Sequence, residues 1–318
     1  MTQSNLFGPT LLPKKKKKPS QCVNKKIDWS YTRRNTLLIC PRKYFFYYYA
    51  STTKLDYIDK SVIYRYKRLS NKHAVFGEII HWVIRCSLSA VHKGRDEWEE
   101  ERLLSFGRKM VEDAIEDTFK LMKGQEPQYD HVFMEIYFEE EASEDIKEEG
   151  FDVVETCIEN LFDYSEFFKV YEAAKIDDSL IERSTRFALD ENITVNGQMD
   201  IGFYDQHSFK IVDWKTGKNH VEDTSLQLAV YGLWANEMLK IPARDIEISK
   251  AYLEVRTTDD FKFDEVELER AKARIQQDYQ MMKELDGFAL SGIEDAFDQC
   301  GKRLVCDKCS FKRICYDK

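Results

Sequence analysis

The stretch "FKIVDWKTGK", residues 209–218, places a carboxylate and an ammonium two residues apart, at Asp213 and Lys215. Apolar residues lead into the pair and Thr-Gly follows it, so the stretch predicts a strand that ends near Lys215. Side chains two residues apart in a strand point to the same face of the sheet. Asp213 and Lys215 are therefore predicted to lie side by side, as they also would in an ordinary salt bridge at a strand end.

A second carboxylate favours a functional interpretation over a simple salt bridge. Asp200 lies in the preceding predicted strand, and "DQHS" at 205–208 predicts a turn between the two strands. An antiparallel hairpin would bring Asp200 and Asp213 together, and two unit charges about 4 Å apart repel by about 4 kcal/mol at an effective dielectric of about 20. A shared proton would offset this repulsion, and so would Mg²⁺ or Mn²⁺, which prefer oxygen ligands. Lys215 would then orient an attacking water or stabilise charge on a phosphate oxygen.

Two predicted helices carry further polar side chains on apolar backgrounds. His81 lies in "FGEIIHWVI" (76–84), and Gln227 and Tyr231 lie four residues apart on one face of the helix predicted at 224–239. A lone histidine on such a face is most often a packed core residue, and an ordinary amphipathic helix accounts for the Gln227–Tyr231 pair. Neither feature indicates a function by itself.

The order of predicted elements indicates an α/β fold. Hydrophobic periodicity predicts helices within 30–50, 73–94, 96–123 and 144–175, strands within 181–215 and at 246–257, and further helices at 224–239 and 264–286. A core built from the strands and the helices around them, with an acidic helical insertion at 95–175, accounts for this order.

Charge is distributed unevenly along the chain, whose formal net charge is −9. Five consecutive lysines at 14–18 lie in segment 1–27, which is predicted to be a disordered basic tail. Such a tail either contacts phosphates non-specifically or serves only to solubilise the chain. The sequence contains no apolar run of about 18 residues and no apolar N-terminal signal, so we expect a cytoplasmic protein without a membrane partner.

The C-terminal segment is rich in cysteine. Cys306, Cys309 and Cys315 have the spacing C-x2-C-x5-C, which in a cytoplasmic protein predicts a metal or iron–sulfur site. A tetrahedral site needs a fourth thiolate, and the sequence offers Cys300 nearby and Cys40 far away. The spacing leaves both candidates open, and it does not separate an iron–sulfur cluster from zinc.

Taken together, these motifs resemble the PD-(D/E)XK nuclease superfamily, and most closely its RecB-like branch with a C-terminal iron–sulfur cluster. That branch includes the AddB nuclease domain, the CRISPR adaptation nucleases and the exonuclease V-like enzymes. The resemblance rests on an ordered set of motifs: Cys40-Pro41, Gly77-x3-His81, Gly197-x2-Asp200, Asp213-x-Lys215, Gln227-x3-Tyr231 and the three C-terminal cysteines. It implies a nuclease domain over 28–318 with a restriction-endonuclease-like core, in which a mixed central sheet is flanked by helices, and a cluster-binding segment at 300–318.

The resemblance also implies roles for individual residues. His81, Asp200, Asp213 and the backbone carbonyl of Trp214 would bind Mg²⁺ or Mn²⁺, and Lys215 would be the catalytic lysine. Gln227 and Tyr231 would steady the site and touch DNA. A 4Fe–4S cluster would be held by the thiolates of Cys40, Cys306, Cys309 and Cys315. Cys300 would then not be a ligand.

We therefore expect a metal-dependent deoxyribonuclease that is exonuclease-like and acts on single strands or DNA ends, in repair, recombination or defence. A helicase is a candidate partner, since relatives often work beside one. One alternative is a non-catalytic DNA-binding or targeting subunit of a larger nuclease–helicase or defence complex, although the intact His-Asp-Asp-Lys set argues against it. Another is a zinc-binding knuckle at the C-terminal cysteines.

Overall fold

The computed structural model describes residues 28–51, 59–94, 99–129, 132–177, 180–217, 225–290 and 293–316. The helices in these ranges are α1 (Tyr31–Ile39), α2 (Pro41–Tyr48), α3 (Lys60–Lys67), α4 (Lys72–His92), α5 (Glu100–Met122), α6 (Met134–Tyr137), α7 (Ser143–Phe162), α8 (Phe167–Ile176), α9 (Ser225–Leu239), α10 (Glu265–Leu290), α11 (Arg303–Asp307) and α12 (Lys312–Tyr316). The strands are β1 (Asp28–Ser30), β2 (Leu69–Ser70), β3 (Val132–Phe133), β4 (Ile181–Ser184), β5 (Phe187–Ala188), β6 (Thr194–Asn196), β7 (Gln198–Asp205), β8 (Ser208–Lys215), β9 (Ile246–Tyr252) and β10 (Thr257–Phe261). The predicted basic tail at 1–27 lies outside the described residues.

A five-stranded sheet forms the centre of the fold, with the strand order β10-β9-β8-β7-β4. The sheet is mixed: β8 and β9 run parallel, whereas β10 with β9, β7 with β8 and β4 with β7 pair antiparallel. The predicted hairpin is confirmed: β7 and β8 pair antiparallel around the turn at Gln206 and His207. The single strand predicted at 246–257 is wrong, since the chain turns after Tyr252 and returns as β10.

Helices cover both faces of this sheet, as the predicted α/β class requires. Phe209 and Ile211 of β8 belong to a core that includes residues of α1, α2, α9 and α10. Val212 and Trp214 belong to a second core, built with residues of α4, α5, α7 and α8. Burial on both faces fixes the register of β8, because a slip of one residue would exchange the side chains of the two cores.

The predicted helical insertion is an integral part of the second core. α5 and α7 pack against each other and against α4, and their apolar side chains join those of β7 and β8 in one buried cluster. Two glycines make this close packing possible. A Cβ atom on Gly107 would lie 2.6 Å from Val154 Cγ1, and one on Gly150 would lie 2.8 Å from Phe76 Cε1.

The predicted helix at 30–50 is interrupted at Cys40. α1 ends at Ile39, Cys40 adopts an extended backbone conformation, and Pro41 begins α2. Proline suits the first position of a helix because its fixed φ is already helical and no amide donor is needed there. The interruption makes Cys40 the cap of α2, where its Sγ accepts a hydrogen bond from the amide of Lys43 over 3.4 Å.

α4 is long and apolar enough to cross a membrane by length and composition alone, with a mean hydropathy of 1.4 over its most apolar window. Half of that window is buried inside the fold. One such helix is weak evidence for a membrane span, since a buried core helix passes the same test. In this chain α4 packs against the sheet and contributes seven buried side chains to the second core: Val75, Phe76, Ile79, Ile80, Val83, Ile84 and Leu88.

Gly150→Val tests the packing of α7 on α4 and α5. The added side chain would collide with Phe76 and Val111, both almost fully buried, so we expect the free energy of unfolding to fall by about 1–3 kcal/mol. Urea denaturation would measure the loss. Glu148→Ala, at an exposed position of the same helix, should change it by less than about 0.5 kcal/mol. An unaltered unfolding midpoint for Gly150→Val would contradict the close helix contact.

Candidate active site

Three carboxylates meet at neighbouring positions on three adjacent strands. The pairing of β7 with β8, continued by one residue, places Asp200 level with Asp213. The pairing of β7 with β4 places Asp200 level with Glu182 on its other side. Asp200 and Asp213 are buried, with exposures of 7% and 2%. The hairpin predicted from the sequence therefore brings its two aspartates together.

α4 brings His81 to this row of carboxylates. The Nδ1 atom of His81 lies 3.0 Å from Asp200 Oδ1, and the backbone N–H of Trp214 donates to Asp200 Oδ2 over 2.6 Å. Gly77, one helical turn before His81, allows this approach, because a Cβ atom there would lie 3.2 Å from Thr216 Oγ1. The indole ring of Trp214 is buried edge-on against Tyr164, so Trp214 reaches the site through its backbone.

Potential metal donors converge at this point. One donor atom each from His81, Glu182 and Asp200 lies within 4.8 Å of the other two. Carboxylate oxygens suit Mg²⁺ and Mn²⁺, and an imidazole is also accepted by transition metals, so the donor chemistry fits a divalent cation. Asp213 lies beside this group, as its electrostatic interactions with His81 and Asp200 show.

Glu182 is the member of the site that the sequence analysis missed. It lies in the predicted strand region, but its relation to Asp200 depends on the pairing of β4 with β7. Its backbone has a φ of +49°, a conformation that is uncommon for residues other than glycine, and the side-chain amide of Gln198 donates to its carboxylate. A search for acidic residues that would face Asp200 in an antiparallel neighbour strand could have found it.

Asp213 and Lys215 do form the contact expected from their spacing. Lys215 Nζ lies 2.6 Å from Asp213 Oδ2. The aspartate is 2% exposed, so the pair is not the solvated salt bridge at a strand end that the dipeptide alone favours. Burying a carboxylate is costly unless opposite charge and hydrogen bonds compensate, and Lys215 supplies that charge at the wall of the cleft.

Tyr231 ties the two aspartate-bearing strands together from α9. Its hydroxyl donates to the backbone carbonyl of Gln198 over 2.7 Å and lies 3.3 Å from Asp213 Oδ1. The side-chain amide of Gln227 donates to the same hydroxyl over 2.9 Å. The Gln-x3-Tyr pair is thus a specific contact of the site, although the tyrosine, at 2% exposure, is more buried than a residue whose main role is to touch DNA.

The crowding of carboxylates shifts their protonation equilibria. Burial raises the pKa of Asp213, and the nearby Asp200 charge adds to the rise while Lys215 opposes it. Burial and the Asp200 charge likewise raise the pKa of Glu182. Burial alone would lower the pKa of His81, but the adjoining Asp200 carboxylate outweighs this effect and raises it to about 9. The site therefore attracts positive charge, as a cation-binding centre must.

These residues line a cleft of about 710 Å³. α4 forms part of its wall, and the described lining residues include four carboxylates, namely Glu78, Glu182, Asp200 and Asp213. The basic side chains among them are those of His81, Arg85 and Lys215. The cleft is open to solvent, so a substrate has access to the carboxylates.

A second site is formed by cysteines from distant parts of the chain. Five of them line one small cavity of about 40 Å³: Cys40, Cys300, Cys306, Cys309 and Cys315. Cys300 Sγ lies 3.5 Å from Cys306 Sγ, so Cys300 is also part of the site. Burial raises the pKa of Cys309 to about 11, Lys43 opposes the rise, and Cys40 and Cys315 add to it. Both candidates for the fourth thiolate are therefore close to the C-terminal trio.

Comparison with protein-family models matches residues 28–316 to the PD-(D/E)XK nuclease superfamily. This range includes the cleft, its carboxylates and the cysteine-lined cavity. Comparison with curated proteins gives no match.

Replacing Glu182 tests the assignment of the metal donors independently of any reaction. Glu182→Gln and Asp200→Asn each remove one charged donor, so Mn²⁺ affinity measured by calorimetry should fall by at least about 10-fold, the lower end of effects seen even for outer-shell groups. Glu78→Gln is the matched control, because Glu78 lines the same cleft but lies outside the donor group. Equal affinities for the Glu182 and Glu78 variants would remove Glu182 from the metal centre.

Proposed function

The chain belongs to the PD-(D/E)XK nuclease superfamily, and from this membership we propose that it is a metal-dependent deoxyribonuclease acting on single strands or DNA ends. The superfamily implies nuclease-type phosphodiester hydrolysis, with DNA as substrate. The observation that carries the proposal is the convergence of His81, Glu182 and Asp200 beside the buried Asp213–Lys215 pair, in one open cleft.

Mg²⁺ or Mn²⁺ would be held by His81, Glu182, Asp200 and Asp213, with the Trp214 carbonyl as a further ligand. Such an ion supplies a Lewis acid for the phosphate and lowers the pKa of a bound water. The protein's own contribution is to fix the ligands before substrate arrives. Asp200 is oriented by the Trp214 amide and by His81, and both of these contacts are within hydrogen-bonding distance.

Lys215 is the proposed catalytic lysine. Its ammonium contacts Asp213 Oδ2 at the wall of the cleft, which holds the group in place. From there it orients the attacking water and donates to the phosphate oxygen on which negative charge develops in the transition state. A positioned cation of this kind acts mainly on the rate of cleavage, since Asp213 rather than Lys215 provides a metal ligand.

Gln227 and Tyr231 are proposed as positioning residues. The Tyr231 hydroxyl links the start of β7, through the Gln198 carbonyl, with Asp213 at the end of β8. This link holds the spacing between the two strands where the carboxylates lie. A contact with DNA is better suited to Gln227, which is partly exposed in the cleft.

At the second site we propose a 4Fe–4S cluster bound by Cys40, Cys306, Cys309 and Cys315. Cys40 lines the same cavity as the C-terminal trio, which is the arrangement that this ligand set requires. Arg42, Lys43 and Lys312 line the cavity and would offset the negative charge of four thiolates. A cluster at this position would place the chain in the RecB-like branch. We propose a helicase as partner because relatives in that branch often work beside one.

The reaction is tested by comparing Asp213→Ala with Lys215→Ala. Both variants should lose cleavage of end-labelled single- and double-stranded DNA in Mg²⁺ or Mn²⁺, but only Asp213→Ala should also weaken Mn²⁺ binding, because Lys215 is not a ligand. Lys210→Ala is the control, since Lys210 lies on the same strand in contact with Glu166 and should leave cleavage intact. Cleavage by Lys215→Ala at the wild-type rate would exclude the proposed mechanism, and an inactive wild-type protein would favour a non-catalytic subunit.

The cluster is tested by cysteine variants of protein purified without oxygen. Cys40→Ser should lose iron, acid-labile sulfide and the brown absorbance as completely as Cys309→Ser, because each would remove one of four ligands. Cys300→Ser should retain all three signals, even though its sulfur lies 3.5 Å from Cys306 Sγ. The reverse pattern, with Cys300 required and Cys40 dispensable, would contradict the ligand set, and bound zinc without iron would contradict the cluster.

A further inference from the structure

An exposed tryptophan lies beside the proposed metal centre and has no role in the proposed hydrolysis. Trp82 follows His81 directly on α4, the residue is 44% exposed, and it lines the cleft. The neighbouring residues Val83 and Ile84 turn into the second core and are buried. Trp82 is therefore presented to the cleft by the same helix, and at the same level, as the histidine of the metal site.

Helix geometry makes this arrangement fixed rather than incidental. Residues four apart lie one above the other on a helix, and two such rows of α4 line the cleft. One row contains His81 and Arg85, and the adjacent row contains Glu78 and Trp82. Because α4 is anchored by its buried face, the indole ring cannot leave the cleft without a rotamer change.

Arg85 restrains the ring further. Its guanidinium carbon lies 5.0 Å from the centroid of the Trp82 ring, which is a cation–π distance. The pair thus presents an aromatic surface together with a positive charge. Protein grooves that hold single-stranded nucleic acid combine these same two features, aromatic faces for bases and cations for phosphates.

The charge of the cleft favours a contact with DNA that does not depend on further positive charge. Its described lining residues include four carboxylates, and the basic side chains among them are those of Arg85, Lys215 and the metal-site histidine His81. Even with a divalent ion bound, few phosphate contacts are available, and phosphate contacts are what normally supply sequence-independent affinity. Base stacking provides affinity without further positive charge.

We propose that Trp82 is a stacking platform for an unpaired base next to the cleaved phosphate, and that it gives the site a preference for single-stranded DNA. This proposal rests on the proposed function in taking DNA as the ligand. In a duplex the faces of each base are covered by neighbouring bases, so a base must be unstacked before an aromatic side chain can take it. Arg85 holds the ring and contacts a nearby phosphate.

Binding of a labelled single-stranded oligonucleotide, measured by fluorescence anisotropy in Mg²⁺, tests this role. The measurements use Lys215→Ala as the background, with the oligonucleotide checked for cleavage on a gel. Adding Trp82→Ala should weaken binding by about 5- to 100-fold, while Trp82→Phe should retain most of the affinity. Phe168→Ala is the matched control, because Phe168 is an aromatic residue with 71% exposure on α8 that does not line the cleft.

Three readouts distinguish stacking from a loss of structure or charge. Trp82→Ala should leave the salt dependence of binding unchanged, whereas Arg85→Ala should reduce its slope by about one unit. The background protein should bind an oligonucleotide with abasic positions more weakly than the intact oligonucleotide. The protein that also carries Trp82→Ala should bind the two oligonucleotides equally. Binding of duplex of the same sequence should be nearly unaffected by Trp82→Ala.

The outcomes separate this proposal from the proposed function. If Trp82→Ala binds single strands as the background does, or loses single-strand and duplex binding equally, the stacking role is wrong while the nuclease assignment stands. If the wild-type protein cleaves no DNA but Trp82→Ala still loses single-strand binding selectively, the nuclease assignment fails and the stacking role stands.

Discussion

The repulsion among three carboxylates dominates the organisation of this protein. Glu182, Asp200 and Asp213 lie side by side across β4, β7 and β8, and the two aspartates are buried. Such an arrangement is unfavourable unless positive charge and hydrogen-bond donors accompany it. The neighbouring elements supply them. Lys215, at the end of β8, contacts Asp213, and His81, from α4, contacts Asp200.

The rest of the fold keeps these groups in register. Apolar residues of β8 pack into two cores, one on each face of the sheet. A slip of the strand by one residue would move each side chain, including Asp213 and Lys215, to the opposite face. Tyr231 spans the two aspartate-bearing strands from one face, and α4 approaches from the other face, as close to Thr216 as Gly77 permits. The site thus lies where two packed layers meet at the sheet, and both layers contribute contacts that hold its side chains in place.

The cysteine site joins the two ends of the described chain, and it does not do so alone. Arg42 Nε donates to the backbone carbonyl of Phe297 over 2.7 Å, and the rings of Phe46 and Phe311 stack with centroids 5.4 Å apart. The C-terminal segment is therefore held to α2 by packing and hydrogen bonds as well as by whatever the thiolates bind. The attachment of the C-terminal segment to α2 therefore does not depend only on the ligand that the thiolates bind.

The sequence by itself determined the features that depend on near neighbours. The apolar residues that lead into Asp213 and Lys215, together with a turn at 205–208, predicted the β7–β8 hairpin and the meeting of Asp200 with Asp213, and helical periodicity predicted α4 and α9 with their polar residues. Tertiary structure decided what depends on distant pairing. Glu182 reaches Asp200 only through the register of β4 on β7, Cys300 approaches Cys306 while Cys40 comes from the other end of the chain, and Trp82 faces a cleft rather than solvent alone. Local patterns specify strands and helices because backbone geometry is local, whereas contacts between elements are set by which buried surfaces pack together.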